Sequence, residues 1–427
     1  MFLLPLGRAL ESAAEVGEDP GVNGRAPWMR RLPNPTASLV LVSLVVALLA
    51  AEGAVRLLSP IGPALLVTDP GVGKRYVPGF CGRVFVDEVG RAVDVRFNSV
   101  GFRGPEWARP GPAGGLRIAV LGDSMTAAIA TDEERTFVRR LEAALATGEA
   151  PGPVEVMNFG VASASTGSEL VTWREVAAGY RPDIVLLAFF TGNDLGDNSS
   201  RLTRAPRAYF DLDEAGRLVE GRESEPTPAL ARWLDRHSRL YVWQKVAIRR
   251  LRAATQSAAH GVEPGQLIFA RDGGADVEHA WSVTAALLHR LRDEVEASGA
   301  RFGAVVVPCA EQVDDALWSD LAHRAREAGL DLGREEPSRR LAAIWAREGI
   351  PAIDLTPTFV ATARGPGGEA ASAEGLYLAG RFHLSDEGHR VAAEAIARFL
   401  AEGEGRHRAT APGPGAGGDI TRGGGRP

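Results

Sequence analysis

Short, mainly apolar runs alternate with longer amphipathic stretches from residue 116 to residue 400. The runs are "LRIAVLG" from residue 116, "VEVMNFG" from 154, "IVLLAFF" from 184, "RFGAVVV" from 301 and the shorter "PAID" from 351. Apolar runs of this length, bounded by small and polar residues, predict buried strands, and the stretches between them predict helices. Strands that alternate with helices predict a doubly wound α/β domain with a parallel sheet and right-handed crossovers.

The segments around this core have other patterns. Residues 69–103 form short strand-like stretches punctuated by Gly and Pro, which predict hairpins. About a hundred residues separate the third and fourth core strands, too many for a simple crossover, and we assign residues 198–275 to a cap-like insertion over the strand ends. It contains a predicted hairpin with its turn at Glu214, Ala215 and Gly216, and a helical segment rich in Arg and aromatic residues. The core domain is predicted to span residues 65–400, and the Gly/Pro-rich tail 402–427 to be disordered.

An apolar segment near the N-terminus predicts a transmembrane signal anchor at residues 37–58. Arg30 and Arg31 precede it, which favours a cytoplasmic, disordered segment 1–36 and an extracytoplasmic domain, in the periplasm or at the cell surface. A signal peptide cleaved near Ala51 and a buried soluble helix are the alternatives. Met29 is an alternative start of translation.

Composition narrows the range of functions. The chain has 427 residues and a net charge of -6, which argues against a nucleic-acid partner. Its two cysteines, Cys81 and Cys309, form no zinc-type cluster, so we expect no metal site. They either pair in an oxidising compartment or stay free.

Reactive side chains follow the predicted strands at the points where each strand ends. Ser124 in "GDSMT" follows the first strand, Ser163 in "NFGVASAS" the second and Asn193 in "TGND" the third, and His383 lies in "FHLSDEGH" near the end. Because the carboxyl ends of parallel strands meet at one edge of a sheet, we expect these residues to converge there. A serine beside a histidine and N–H donors is the equipment of nucleophilic acyl transfer. The absence of a Gly-x-Ser-x-Gly elbow argues against an α/β-hydrolase.

These four blocks, in this order, resemble those of the SGNH (GDSL-type) hydrolases over residues 98 to 400. "FNSVGFRG" upstream resembles the lead-in of bacterial membrane-linked members. The resemblance implies a flavodoxin-like three-layer α/β/α sandwich and no cofactor. It also implies that Ser124 is the nucleophile, His383 the base, and Asn193 an oxyanion donor together with the backbone N–H of Ser124.

The chain departs from the family pattern at two places. Ser163 stands where the family has a glycine whose N–H is an oxyanion donor, with Gly160 as a nearby alternative donor. Gly380 and Arg381 stand where the family has the Asp that orients the histidine, so the orienting group is left open. A Ser-His dyad held by a backbone carbonyl, an acid from elsewhere and a weakened or absent activity are the alternatives.

Asp386 and Asp354 are candidates for the acid that orients the His383 ring. We expect Asp386 instead to complement the dipole of the last helix, which Ser385 caps, and His389 to be structural.

Together these features predict an extracytoplasmic serine esterase that hydrolyses or transfers acyl groups. Acetyl esters on cell-surface glycans are the expected substrate class, and the N-terminal helix is the expected link to the membrane. The alternative is a catalytically silent glycan-binding or assembly protein on the same fold, for which the missing acid is the best support. The oligomeric state is left open.

Overall fold

The computed structural model describes residues 35–59, 62, 64–69, 73–109, 111, 113–147, 152–203, 208–221, 228–256, 262–364 and 370–410. The chain divides into two units, Met1–Leu57 and Leu58–Pro427. The predictions for the start at Met29, for Arg30 and Arg31, and for disorder in segments 1–34 and 411–427 lie outside the described residues.

Among the described residues, the first unit contains the apolar helix α1 (Pro35–Leu58). Its stretch Thr36–Leu58 is long and apolar enough to cross a membrane, and its leucines and valines are largely exposed. Its described acid, Glu52, pairs with Arg56 one turn later, with Nε and Oε1 2.7 Å apart. The helix covers the predicted anchor at 37–58.

The second unit is built on a five-stranded parallel sheet. Two antiparallel ribbons precede it, β1 (Leu66–Asp69) with β2 (Gly73–Tyr76) and β3 (Cys81–Val86) with β4 (Arg91–Arg96). The sheet strands are β5 (Leu116–Gly122), β6 (Val154–Gly160), β7 (Ile184–Phe190), β10 (Arg301–Val307) and β11 (Ala352–Asp354). Their spatial order is β11-β10-β7-β5-β6, so in order of sequence the strands run 2-1-3-4-5. This is the flavodoxin-like order that the sequence predicts.

Helices cover both faces of the sheet. The described helices of this unit are α2 (Ser124–Ala127), α3 (Phe137–Ala146), α4 (Thr166–Glu175), α5 (Asp194–Asp197), α6 (Ala229–His237), α7 (Arg239–Gln256), α8 (Gly274–Ala297), α9 (Ala310–Val313), α10 (Asp315–Glu327), α11 (Glu336–Glu348), α12 (Thr356–Arg364) and α13 (Asp386–Thr410). Helices α3 and α13 pack together, with α3 on β6, and α4 and α8 form a second pair on β5 and β10. Because the crossover direction reverses after β6, right-handed connections put the two pairs on opposite faces.

Local sequence explains these elements. All seven residues of β7 are buried and apolar, as expected for the middle strand of a sheet covered on both faces. Thr136 and Ser165 cap α3 and α4, because their side chains accept backbone N–H groups of the first turn. Helix α13 extends to Thr410, beyond residue 402 at which the sequence predicts the tail to begin.

The insertion between β7 and β10 has three parts. The predicted hairpin is present as β8 (Phe210–Leu212) and β9 (Leu218–Glu220), and it packs against α8 in the helical layer. Helices α6 and α7 form a second hairpin. A 3-10 helix, Pro264–Phe269, packs on α5 and is the part of the insertion that borders the carboxyl end of the sheet.

Candidate active site

Ser124 stands at the first position of α2, directly after β5. The Asp123 side chain caps this helix, because its Oδ1 accepts the Met125 N–H over 2.8 Å. Asp123 therefore hydrogen-bonds nearby backbone. The first N–H groups of a helix have no partner inside it, so the Ser124 N–H is available to a negatively charged oxygen beside its own hydroxyl.

Strand β6 holds α2 from one side. Asn158 Nδ2 donates to the Thr126 carbonyl over 2.8 Å, while its Oδ1 accepts the Gly160 N–H over 2.9 Å. A Cβ at Gly160 would lie 2.4 Å from the Ala127 nitrogen, so only glycine allows this approach. The Gly160 N–H is occupied and does not serve as an oxyanion donor.

Arg103 holds the other end of α2. Its guanidinium, in a side chain only 1% exposed, donates to the carbonyls of Ala127, Ala128 and Thr131. Ala127 is the last residue of α2, and Ala128, which caps it, has a left-handed backbone (φ 49°). A buried cation there satisfies acceptors that have no partner within the helix.

His383 reaches Ser124 from the loop that precedes α13. Its Nε2 lies 3.0 Å from Ser124 Oγ, although the two residues are 259 positions apart. His389, one turn inside α13, is buried against Phe137, whose N–H donates to its Nδ1. Burial lowers the pKa of His389 to about 3, so its ring is neutral and structural.

Glu88 supplies the acid that the sequence leaves open. It lies on a 3-10 turn, Asp87–Val89, between β3 and β4, and its Oε2 is 2.6 Å from His383 Nδ1. Its Oε1 also accepts the backbone N–H of His383 over 3.3 Å. Because a carboxylate only accepts, Nδ1 carries the proton and Nε2 is left to accept the Ser124 hydroxyl. Burial acts to raise the pKa of Glu88, but its hydrogen bonds to His383 and their opposite charges outweigh burial and keep that pKa below its usual value.

Gly380 explains why the acid comes from elsewhere. A Cβ at this position would lie 3.0 Å from Glu88 Oε1 and 3.2 Å from its Cγ. The missing side chain leaves the room that the Glu88 carboxylate occupies. The neighbouring Arg381, with a left-handed backbone (φ 55°), directs its guanidinium to Asp314.

The acids that the sequence offers are engaged away from the histidine. Asp386, in the first turn of α13, pairs with Arg135, and Ser385 caps this helix as expected. Asp354 accepts the Thr356 N–H over 2.8 Å at the start of α12. Orientation by Asp386, Asp354 or a backbone carbonyl is therefore wrong, and Glu88 takes that place.

Two further predicted donors are Asn193, which follows β7, and Ser163, which follows β6. Asn193 stands at the N-cap position of α5 without a side-chain cap hydrogen bond, and its Nδ2 donates to Asp197 Oδ2 over 3.0 Å. Ser163 has a left-handed backbone (φ 62°), the conformation that favours glycine, and its side chain is exposed. The chain therefore keeps the backbone geometry of a glycine at a position where it carries a serine.

Three buried carboxyl groups lie behind the site. Burial raises the pKa of Asp123 to about 6, with the Met125 N–H, the charge of His383 and the Asn193 side chain opposing it. Burial, and then the charge of Asp123, raise the pKa values of Glu169 and Asp194 well above the usual range. Asp194 accepts the Phe190 N–H over 2.7 Å. Burial thus favours the protonated form of these carboxyls over the charged form more than it does for exposed carboxyls.

A cavity of about 470 Å³ opens beside Asn193. Its wall combines apolar rings with backbone of the insertion: Phe190, Phe269, Phe382, Pro264 and Gly265. Phe382 also contacts the His383 ring edge-on, with centroids 5.1 Å apart. The cavity thus has the size of a small-ligand site and is lined by Asn193 and by Phe382, the residue before the histidine. Within the described part of the chain, no group of three or more His, Cys, Asp or Glu side chains is arranged to hold a metal ion.

Glu88 and Arg103 are the site residues that sequence reasoning missed. Arg103 belongs to "FNSVGFRG", a motif that resembles the lead-in of membrane-linked family members. This resemblance was a sequence signal for Arg103, although it did not indicate the role of the side chain. Glu88 carries no local signal, because an acid in a hairpin turn is ordinary. Cys81 and Cys309 are both free and form no disulfide. Cys81 is exposed and Cys309 is buried.

The chain is similar in structure to GDSL-type lipolytic hydrolases and acetyl xylan esterases. The acetyl xylan esterase AlAXEase shares 13% identity, covering 67% of this chain and 99% of its own, with a TM-score of 0.35. The lipase/acylhydrolase from Enterococcus faecalis shares 15% over 68% and 96%, with a TM-score of 0.35. A protein from Desulfitobacterium hafniense DCB-2, described as lipolytic and of the G-D-S-L family, shares 11% over 67% and 99%, with a TM-score of 0.34. No family model and no curated protein matches the sequence. At these TM-scores the likeness carries no weight for activity, which rests on the geometry around Ser124.

Proposed function

We propose that the protein is a serine esterase in which Ser124, His383 and Glu88 act as a catalytic triad. The observation that carries the proposal is the continuous chain of hydrogen bonds from Ser124 Oγ through the His383 ring to Glu88, 3.0 Å and 2.6 Å long. It lies at the carboxyl end of β5, where ligands bind in such sheets. A serine hydroxyl becomes a useful nucleophile when a base within this reach takes its proton.

In the first half-reaction Ser124 Oγ attacks the ester carbonyl carbon while His383 Nε2 takes the hydroxyl proton. Glu88 holds the proton on Nδ1 and stabilises the imidazolium that forms. The oxyanion accepts hydrogen bonds from the N–H groups of Ser124 and Ser163 and from the Asn193 amide. His383 then gives its proton to the alkoxide as the carbon–oxygen bond breaks, which releases the alcohol and leaves an acyl group on Ser124.

In the second half-reaction water attacks the acyl carbonyl and gives a proton to His383. The tetrahedral intermediate collapses, the proton returns to Ser124 Oγ, and the carboxylic acid leaves. An alcohol in place of water would make the same site a transferase, because the acyl-enzyme is common to both reactions.

The substrate class we propose is an acyl ester, foremost an acetyl ester, on a cell-surface glycan. The resemblance of the four sequence blocks supports this class. For the location we propose a membrane-anchored enzyme whose domain lies outside the cytoplasm. The length of α1 supports the anchor, and the two arginines before it in the sequence support the orientation.

The competing hypothesis, a silent binding protein, rests on the lack of an acid beside His383. Glu88 removes that support, because its carboxylate occupies the orienting position. A binding module also has no use for a serine hydroxyl, an imidazole and a carboxylate aligned in sequence.

The test is hydrolysis of short-chain p-nitrophenyl esters by the full-length protein in detergent micelles. Ser124→Ala is expected to reduce turnover to the uncatalysed background, since no other nucleophile replaces Oγ. Ser282→Ala, an exposed serine on α8, is the matched control and should behave as the wild type. Turnover that survives Ser124→Ala, or a wild-type protein without any turnover, would contradict the proposal. An added sugar that accepts the acyl group at the expense of free acid would identify a transferase.

A further inference from the structure

Helices α6 and α7, joined at Ser238, form a hairpin whose charge differs from that of the rest of the chain. We call residues 229–256 the basic hairpin. It holds seven Arg and Lys residues and one Asp, a net charge of +6 in a chain whose net charge is -6. The Asp, Asp235, pairs with Lys245 over 2.7 Å and thereby ties α6 to α7. The excess positive charge is thus concentrated on one small element.

The same hairpin exposes large apolar side chains. Leu230 and Trp233 on α6 are 68% and 55% exposed, and on α7 Trp243, Ile248 and Leu251 are 42%, 50% and 67% exposed. At 3.6 residues per turn the three on α7 fall within an arc of about 140°. Among the residues that the structure describes, neither apolar core includes a side chain of α6 or α7. Each helix therefore exposes large apolar side chains, although Val242 of α7 is buried.

The start of α7 lies near a residue that follows α1 closely in the chain. A Cβ at Gly62 would lie 3.6 Å from the guanidinium of Arg239, the first residue of α7. Gly62 follows the last residue of α1, Leu58, by four positions, and four residues of extended chain span at most about 14 Å. Only a short stretch of chain thus separates α1 from the residue that contacts the start of α7.

We propose that the basic hairpin lies on the surface of a bilayer that contains anionic phospholipids. Its leucine, isoleucine and tryptophan side chains enter the boundary between headgroups and acyl chains, and its arginines and lysine contact the headgroup phosphates. Three features favour a lipid surface over a protein partner: the excess of positive charge, the tryptophans typical of membrane interfaces, and the short tether to α1. This inference does not depend on the proposed esterase activity.

The experiment places a fluorescent reporter on the apolar arc of the full-length protein. In a Cys81→Ser background, Leu251→Cys carries an environment-sensitive dye, and Glu327→Cys, on the exposed face of α10, is the matched control. The protein is reconstituted into nanodiscs of phosphatidylcholine, with or without phosphatidylglycerol. Lipids brominated in the acyl chain serve as contact quenchers.

The proposal predicts a blue-shifted emission at position 251 that brominated lipid quenches in nanodiscs with phosphatidylglycerol, and an aqueous emission at position 327. High salt, or Arg232→Glu with Arg236→Glu, should weaken the quenching at position 251 toward the level in phosphatidylcholine alone. Ester hydrolysis, measured in parallel, should not change in these variants.

Four results would overturn the proposal. Aqueous emission without quenching at position 251 would show that the hairpin is off the membrane. Equal quenching at 251 and 327 would show non-specific adsorption, and equal quenching with and without phosphatidylglycerol would exclude recognition of anionic lipid. A blue shift that rises with protein concentration and resists brominated lipid would identify a second copy of the chain as the partner.

Discussion

Glu88 and His383 are 295 positions apart in sequence, yet their side chains form the shortest hydrogen bond of the triad at 2.6 Å. Their side chains are 16% and 30% exposed, so the pair is shielded from water while Nε2 still faces the serine. This geometry indicates that Glu88 holds the His383 ring in one tautomer. Replacing one carboxylate oxygen of Glu88 by an amide nitrogen tests this role.

Glu88→Gln is expected to lower kcat for ester hydrolysis by about two to four powers of ten, with little change in KM. The amide can donate to Nδ1 and so favours the tautomer that cannot accept the Ser124 proton; the equivalent change in serine proteases costs about 10⁴-fold. Steady-state kinetics measure the effect. Asp87→Asn, an exposed neighbour on the same turn, is the control. Equal activity of the two variants would remove Glu88 from the mechanism.

A second prediction concerns the room at Gly380. Gly380→Ala should lower kcat, because its Cβ would stand 3.0 Å from Glu88 Oε1 and push the carboxylate from the ring. In a Glu88→Ala background that space is vacant, and Gly380→Asp should recover part of the activity by supplying an acid from the other side. If Gly380→Asp lowers the activity of the Glu88→Ala protein further, the two positions are not alternatives for the acid.

At this scale the sequence predicts what is local and misses what is distant. Ser124, Asn193 and His383 each follow a strand or precede a helix in a recognisable block, and the structure places the serine and histidine in contact. The role of Glu88 could not be predicted from the sequence, because it depends on where the β3–β4 ribbon lies in the fold. The Gly at position 380 was a sign that a side chain from elsewhere fills the gap.

Among the elements, α2 is the one on which the site depends most. It is a single turn between β5 and a left-handed Ala128, too short to be stable by itself. Asp123 satisfies its amino end, Asn158 the Thr126 carbonyl and Arg103 its carboxyl end. The turn keeps the Ser124 hydroxyl in place because its ends are held from three separate segments.

Arg103→Met is expected to lower the free energy of unfolding by about 1–3 kcal/mol, the usual cost of leaving buried acceptors without a donor. It should also lower kcat more than it raises KM, because a loose α2 misplaces Oγ without closing the cavity. Arg103→Lys should recover part of both losses, and denaturant unfolding with steady-state kinetics measures them. Arg96→Met removes an exposed arginine that pairs with Glu133 and serves as control. An Arg103→Met protein as stable and active as the control would contradict the role.

The elements themselves were largely predictable. The five sheet strands lie where the apolar runs place them, and the β8–β9 hairpin turns where Gly216 indicates. The place of the insertion was not predictable, because it depends on distant contacts. Asp211 bonds His279 of α8 over 2.7 Å, and Phe210 lies against Gly167 of α4. Nothing in a local pattern specifies which helical layer such a face will meet.

For the whole molecule, the buried carboxyl group of Asp123, Glu169 and Asp194 links stability to pH. An acid whose pKa is raised on folding binds its proton more tightly in the folded state. Its contribution to stability is therefore present at acid pH and is lost as pH rises from its unfolded pKa through its folded pKa. His389 acts in the opposite direction, because its lowered pKa penalises folding in acid.

Glu169→Gln isolates the first of these effects, because neither oxygen of Glu169 has a hydrogen-bond partner among the described residues. The variant should be more stable than the wild type at pH 8 and should lose that advantage toward pH 4, where both side chains are neutral. Urea unfolding of the two proteins across this range gives the difference free of the other titrating groups. A difference that does not change with pH would show that folding does not raise the pKa of Glu169.

The central claim, that Ser124 is a nucleophile activated by His383 and Glu88, is tested most directly by a fluorophosphonate that reacts with activated serines. The full-length protein in detergent micelles is treated with the reagent, and the modified peptide is identified by mass spectrometry. The account predicts one phosphonyl group per chain, on Ser124, with labelling that is absent in Ser124→Ala and much slower in His383→Ala and Glu88→Gln. An unlabelled wild type, labelling at another serine, or equal rates in all these proteins would contradict it.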